Sequence, residues 1–187
     1  MTETMKKPWL TTYELCTTAL GAALMAICAW ISIPTAVPFT LQTFAVFLVT
    51  GLLGLKCGTL SVLVYLLLGA VGLPVFTGFR GGFSALVGTT GGYLLGFIFI
   101  ALTVGLLTRL FGRGLPVLIG SMALGMAICY AFGSAWFMIL YTHATGPIAI
   151  GSVLSMCVVP FLIPDAIKIL LAAFLTRRLQ GQLKSKQ

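Results

Sequence analysis

Apolar residues occupy six long stretches of this chain, separated by short turns that are rich in glycine, proline and basic residues. The stretches cover residues 15–33, 39–55, 58–73, 91–107, 115–141 and 148–175. A helix that crosses the hydrocarbon core needs about 20 apolar residues, with a range of about 17–25. The pattern therefore predicts six transmembrane helices, of which the second and third are at the short end of that range.

The connections between the stretches predict how neighbouring helices are arranged. The turn at Lys56-Cys57-Gly58 is so short that the second and third helices should be antiparallel neighbours. Pro34 and Pro38 interrupt residues 32–42, and because proline disfavours helix at its own and the preceding position, we expect an extended loop at one membrane face.

Basic residues are distributed unevenly along the chain. If both termini are cytoplasmic, nine of the 11 cations lie inside: Lys6, Lys7, Lys56, Arg109, Arg113, Arg177, Arg178, Lys184 and Lys186. Arg80 is then in an outer loop and Lys168 is within a span. The positive-inside rule supports this orientation in the cytoplasmic membrane. We expect one transmembrane domain over residues 1–187, with a cytoplasmic segment at 1–11, the bundle at 12–178 and a basic tail at 179–187.

Composition agrees with an all-α integral membrane protein and excludes several functions. The chain is 59% hydrophobic and 7% charged, against about 25% charged residues in soluble domains. The net charge of +8 comes from scattered cations, so we expect no nucleic-acid partner. The five cysteines form no C-x-x-C pair and there is one histidine, so we expect no metal site. Neither G-x-x-x-x-G-K-[ST] nor G-x-G-x-x-G occurs, so we expect no cofactor and no ATP site.

Asp165 and Lys168 are an acid and a base inside the last apolar stretch. An ionisable group at the centre of a membrane helix costs about 2.5–3.5 kcal/mol, and such groups are usually functional. A separation of three residues puts both on one helical face, where each offsets part of the other's burial cost. Pro164 should follow a kink, so that Asp165 lies near a local helix start. The alternative is an ion pair that only fixes helix packing.

The chemistry of this pair indicates a ligand that both donates and accepts hydrogen bonds. A carboxylate accepts and an ammonium donates, so together they suit a group with N–H and C=O, such as a urea-like ring. Four other polar residues on the same side could close a pocket and hold a carboxylate tail: Gln42, Arg80, Thr90 and Tyr93. Arg80 could alternatively contact a phospholipid headgroup.

Glycine is most frequent between residues 74 and 92. Irregular backbone near membrane depth is tolerated where it is buried in protein or lines a cavity, so this loop is a candidate lid for the pocket. The alternative is a plain flexible loop.

Binding or transport is favoured over catalysis. No nucleophile is paired with a histidine, although a membrane-embedded enzyme with Asp165 and Lys168 as acid and base is the alternative from another class. Because the chain has no ATP site, uphill transport would need partner subunits or an ion gradient.

The first apolar stretch also has two overlapping pairs of small residues. Ala19-x-x-x-Ala23 and Ala22-x-x-x-Ala26 form a smooth strip that would let another helix approach closely. A partner subunit and a neighbouring helix of the same chain are equally compatible with this spacing.

Four blocks of the sequence resemble the BioY family of biotin-specific substrate-capture subunits. They lie at residues 33–45, 69–76, 88–96 and 160–168, and the likeness extends over about residues 12–175. Thr89-Thr90 departs from the family, which usually has Pro-Thr there. The combination of blocks is specific, although each block alone would be weak.

The resemblance implies a six-helix substrate-binding (S) component of an energy-coupling factor (ECF) transporter that binds biotin near the outer face. A transmembrane coupling subunit and two ATPase subunits are the implied partners. Asp165 and Lys168 match the family's Asp-x-x-Lys pair, which implies polar contacts to biotin. The strip Ala19, Ala22, Ala23 and Ala26 matches the family's docking surface for the coupling subunit. Another vitamin on the same scaffold is the alternative ligand.

Overall fold

The computed structural model describes residues 9–33 and 39–184. Its helices are α1 (Thr12–Trp30), α2 (Gln42–Ala70), α3 (Phe83–Val87), α4 (Gly91–Phe111), α5 (Leu115–Thr145), α6 (Ile150–Cys157) and α7 (Val159–Lys184). Two short antiparallel strands, β1 (Ser32–Ile33) and β2 (Phe39–Thr40), and a 3-10 turn at Thr77–Phe79 complete the elements. Five of the described helices, α1, α2, α4, α5 and α7, are long and apolar enough to cross a membrane. The chain is therefore an all-α, multi-pass membrane protein.

Helix α1 begins three residues earlier than the apolar pattern predicted. A capping box starts it, in which Glu14 N donates to Thr11 Oγ1 at 3.2 Å and Thr11 N donates to Glu14 Oε2 at 2.8 Å. The helix ends at Trp30 because the chain becomes extended in β1. The prediction of extended chain is confirmed at β1 and β2, and residues 34–38, including both prolines, lie outside the described residues.

Helix α2 reverses direction at Gly54, so it consists of two arms. Gly54 has φ 75° and ψ −166°, a conformation that essentially only glycine adopts. Gln42 Nε2 lies 2.6 Å from the Tyr65 hydroxyl, whereas a straight helix would separate these residues by roughly 35 Å. The arms, residues 42–53 and 55–70, are therefore antiparallel, as predicted. The predicted position of the turn, at Lys56-Cys57-Gly58, was wrong because these residues remain helical.

The last predicted span is also interrupted at a different residue from the one expected. The break lies at Val158, with φ −123° and ψ −57°, and α7 then runs through Lys184. Pro160 is in its first turn and Pro164 is inside the helix. The expectation that Asp165 lies near a helix start was therefore wrong, since it is in the second turn of α7. Hydrogen bonds from neighbouring side chains stabilise its carboxylate instead.

Small residues allow the helices to pack closely around a core that includes Phe47, Val62, Ile100, Val104 and Met122. A Cβ at Gly105 would lie 2.5 Å from the Leu55 backbone, and one at Gly125 would lie 3.1 Å from the Ile100 backbone. Without a strong hydrophobic driving force in lipid, such close backbone contact is a main source of helix association. Many large apolar side chains remain exposed on the outer faces of the helices, as expected for a lipid-facing surface.

Gly54→Ala should lower the free energy of unfolding by roughly 1–3 kcal/mol, because a side chain is strained in that backbone conformation. The added Cβ would also meet the Arg113 guanidinium, 2.5 Å away. Thermal unfolding of the detergent-purified protein measures the effect. Gly120→Ala in α5 is the matched control, since a Cβ there meets nothing within 4 Å. Equal melting temperatures for the two variants would contradict the strained-turn assignment.

Candidate ligand-binding site

A cavity of about 520 Å³ lies between the start of α2, the loop before α4, the middle of α5 and α7. Its volume is typical of a small-molecule site. All six binding residues predicted from the sequence line it: Gln42, Arg80, Thr90, Tyr93, Asp165 and Lys168. Apolar side chains form much of the remaining wall: Phe76, Leu94, Phe97, Met126 and Phe161.

Asp165 is buried at the centre of a hydrogen-bond network. Its Oδ1 accepts from Lys168 Nζ at 2.8 Å and from Thr43 Oγ1 at 3.2 Å. Its Oδ2 accepts from the Tyr130 hydroxyl at 2.5 Å. Lys168 Nζ also donates to Thr43 Oγ1 at 3.2 Å. The charges of the acid and the base thus compensate each other. The two hydroxyls offset part of the desolvation free energy of the buried pair by hydrogen-bonding to it.

The network leaves part of the hydrogen-bonding capacity of this pair unused, and both side chains line the cavity. A carboxylate offers about four acceptor positions, and three donors occupy Asp165. An ammonium has three donors, of which Lys168 uses two. The pair therefore retains one acceptor and one donor, which match a ligand group that presents N–H and C=O side by side.

Thr43 and Tyr130 are the site residues that sequence reasoning missed. They are 122 and 35 positions from Asp165, so no local spacing connects them to it. Weak signals exist for both residues. Thr43 follows Gln42 inside a block shared with the BioY family, and Tyr130 places a hydroxyl in the middle of a long apolar stretch.

Gln42 lines the cavity, but neighbouring groups of the chain already bind its side-chain amide. Its Nε2 donates to the Tyr65 hydroxyl at 2.6 Å, and its Oε1 accepts from Thr77 Oγ1 at 3.3 Å. Tyr65 in turn donates to the Val75 carbonyl at 3.1 Å. Gln42 therefore holds the loop before α4 against both arms of α2.

Residues 71–90, here called the lid loop, are anchored at both ends by tryptophans. Trp30 Nε1 donates to the Pro74 carbonyl at 2.8 Å, and its ring stacks on Phe79 at 5.1 Å. Trp136 Nε1 donates to the Gly88 carbonyl at 3.0 Å. The loop also contains the 3-10 turn and α3. These contacts attach the loop to the bundle as a wall of the cavity, and its role as a lid stays a prediction.

Tyr93 and Thr90 are half-buried at the cavity, whereas Arg80 is exposed. The half-buried Tyr93 places its hydroxyl 3.0 Å from Ser134 Oγ, and its ring packs against Gly133. Thr90 precedes α4 without capping it through its side chain. Arg80 is exposed on the lid loop and makes no salt bridge with any described residue. Its guanidinium is thus available to an anionic group at the cavity.

The alanine strip of α1 divides between two environments. Ala22 and Ala26 are 2% and 7% exposed and belong to the core of this chain. Ala19 and Ala23 are exposed. Only the latter two are on a face that a partner helix can reach.

Metal ligands are not grouped in the part of the chain that the structure describes. No three His, Cys, Asp or Glu side chains come together there in a way that could hold an ion. The polar groups at the cavity are suited to hydrogen bonding and charge pairing.

Known proteins similar to this chain are found by a family profile and by pairwise sequence identity. A sequence profile of the BioY family matches residues 1–185. The biotin transporter BioY of Thermotoga maritima is 44% identical over 168 residues, which cover 89% of this chain and 95% of that protein. The biotin transporter BioY of Rhizobium etli is 35% identical over 182 residues, covering 90% and 93%.

A solved structure also matches the fold. The crystal structure of the S-component for biotin from an ECF-type ABC transporter aligns with a TM-score of 0.80 at 29% identity, covering 92% of this chain and 95% of that chain. Profile, sequence and fold agree that this chain belongs to the BioY family.

Proposed function

We propose that this chain captures biotin at the outer face of the cytoplasmic membrane and serves as the substrate-binding subunit of an ECF-type transporter. The observation that carries the proposal is the buried Asp165–Lys168 pair, which lines a cavity with apolar walls and keeps one acceptor and one donor for a ligand. The relatives named biotin transporters and the matching biotin S-component support the choice of biotin.

Biotin fits the distribution of polar and apolar groups around the cavity. Its urea ring presents N–H to Asp165 and C=O to Lys168, and its fused rings contact apolar walls such as Phe97 and Met126. Its carboxylate tail points to Arg80, because Asp165 would repel a second carboxylate. Thr90 and Tyr93 line the cavity between these ends and provide further polar contacts, while Gln42 positions the lid loop.

The proposed membrane arrangement has six crossings, formed by α1, the two arms of α2, α4, α5 and α7. The arms of α2 are shorter than a usual span, and local thinning of the bilayer and the flanking residues accommodate them. Both termini are cytoplasmic, and residues 1–11 and 179–187 flank a single transmembrane domain. The cavity then faces outward with Arg80, while Arg109, Arg113, Arg177 and Arg178 lie at the opposite, cytoplasmic end. This distribution supports the orientation through the positive-inside rule.

The proposed partners are a transmembrane coupling subunit and two ATPase subunits, because the chain itself has no nucleotide-binding motif. We propose that the coupling subunit docks on the exposed face of α1 at Ala19 and Ala23. Ala22 and Ala26 support this face from inside by allowing α1 to pack closely in the bundle.

Asp165→Asn should weaken biotin binding roughly 10- to 100-fold, because a hydrogen bond to a charged group contributes about 1.5–3 kcal/mol. Equilibrium binding of labelled biotin to detergent-purified protein measures the change. Glu14→Gln is the matched control, since this other described acid pairs with Lys56 and does not line the cavity. Wild-type affinity in a folded Asp165→Asn protein would refute the site. Recovery of chemically altered biotin would instead indicate an enzyme.

Arg80→Gln should weaken binding of biotin about two- to five-fold, as expected for an exposed ion pair. It should leave the binding of biotin amide unchanged, because that ligand has no carboxylate. Competition of both ligands against labelled biotin gives the two ratios. An equal loss for acid and amide would show that Arg80 does not contact the tail.

Membrane sidedness can be read from single cysteines in a background without the native cysteines. With a membrane-impermeant maleimide on intact cells, Arg80→Cys should be labelled, whereas Thr2→Cys and Ser185→Cys should react only after lysis. Opposite labelling of the two termini would mean an odd number of crossings and would rule out the six-span arrangement.

Ala23→Trp should abolish co-purification with the coupling subunit and leave biotin affinity unchanged, because the bulky ring blocks close approach at α1. Ala135→Trp, on the exposed face of α5, provides the control and should retain the partner. Retention of the partner by both variants would place the docking surface elsewhere.

A further inference from the structure

A second, open groove of about 500 Å³ lies between α5 and α7. It is lined by Leu115, Pro116, Phe174, Arg177 and Arg178. The first two residues begin α5, and the others lie in the second half of α7. None of the five lines the ligand cavity, and Arg178 is about 20 Å from Asp165 along the helix axis. The groove is thus a separate feature at the opposite end of the bundle.

The charge at this groove has no counterpart within the described residues. Glu14 and Asp165 are the acids in that part of the chain, and they pair with Lys56 at 3.0 Å and Lys168 at 2.8 Å. Arg177 and Arg178 are exposed and form no salt bridge there. Guanidinium groups bind phosphate oxygens through two parallel hydrogen bonds, so this end of the groove suits a phosphate-containing anion.

The other wall of the groove is apolar and continues onto the lipid-facing surface. Phe174 is 57% exposed, and Leu170 and Leu171 on the preceding turn are 55% and 53% exposed. A free phosphate would use only the two guanidinium groups. A phospholipid would use both parts of the groove, since its headgroup is anionic and its acyl chains are apolar.

We propose that this groove binds an anionic phospholipid of the cytoplasmic leaflet, with the phosphodiester against Arg177 and Arg178 and an acyl chain along Phe174. The leaflet assignment rests on the proposed orientation with cytoplasmic termini. Anionic lipids concentrate at that surface and attract basic residues next to the membrane.

Native mass spectrometry of the full chain, with phosphatidylglycerol or phosphatidylcholine of identical acyl chains, tests the proposal. The wild type should retain phosphatidylglycerol about 5- to 30-fold better, from the attraction expected for two basic residues at a membrane surface. Arg177→Gln/Arg178→Gln should lose this preference. Arg109→Gln removes a cation in the last turn of α4 that does not line the groove, and this variant should keep the preference.

Biotin binding by each variant shows whether that variant is folded. If the double variant does not fold, the lipid preference is measured on the single variants Arg177→Gln and Arg178→Gln. Equal retention of both lipids, or an equal loss in Arg109→Gln, would overturn the site. Full displacement of the lipid by millimolar inorganic phosphate would assign it to a free anion. Dimers that form in the wild type and are lost only in the double variant would assign the groove to a second copy of the chain. Labelling of Ser185→Cys on intact cells would overturn the assignment to the cytoplasmic leaflet.

The measurement of lipid retention does not depend on biotin being the ligand of the cavity. A wild-type chain that retains phosphatidylglycerol selectively but binds no biotin would refute the biotin assignment alone. In that case the melting temperature would replace biotin binding as the measure of folding.

Discussion

The ion pair between Asp165 and Lys168 is the interaction that constrains the rest of this structure. Either charge alone inside the bundle would be costly, and pairing offsets that cost only if the remaining hydrogen-bonding positions are also used. Thr43 from α2 and Tyr130 from α5 supply these contacts to α7. The network therefore holds three helices in fixed relative positions and also leaves one donor and one acceptor for a ligand.

The lid loop, like the ion pair, contains polar groups that need hydrogen-bond partners near lipid. Its irregular backbone has carbonyls that helix geometry cannot satisfy, and such backbone is stable near lipid only where other groups bind it. Trp30, Trp136 and Tyr65 donate to these carbonyls while their rings pack in apolar surroundings. The cavity thus combines the buried Asp165–Lys168 pair with a loop that is hydrogen-bonded to the rest of the chain.

The position of the hairpin in α2 shows how far local sequence reasoning extends. Gly51, Gly54 and Gly58 were all available for a turn within eight residues. A Cβ at Gly51 would lie 2.9 Å from Thr176 Oγ1, and one at Gly58 would lie 2.9 Å from Thr50 Cα, so both glycines serve close helix contacts. Gly54 is the one with positive φ. The sequence predicted the reversal, but the packing of α2 against itself and α7 selected the residue.

Hydropathy alone determined the membrane class and the approximate helices, because the thickness of the bilayer imposes a length that is visible in sequence. The spacing of Asp165 and Lys168 likewise determined that they pair, since residues three apart share a helical face. Only the tertiary structure decided that Thr43 and Tyr130 donate to Asp165 and that Ala19 and Ala23, rather than Ala22 and Ala26, face outward. These outcomes depend on how distant segments meet and how each helix is rotated, and neither quantity is set by neighbours along the chain.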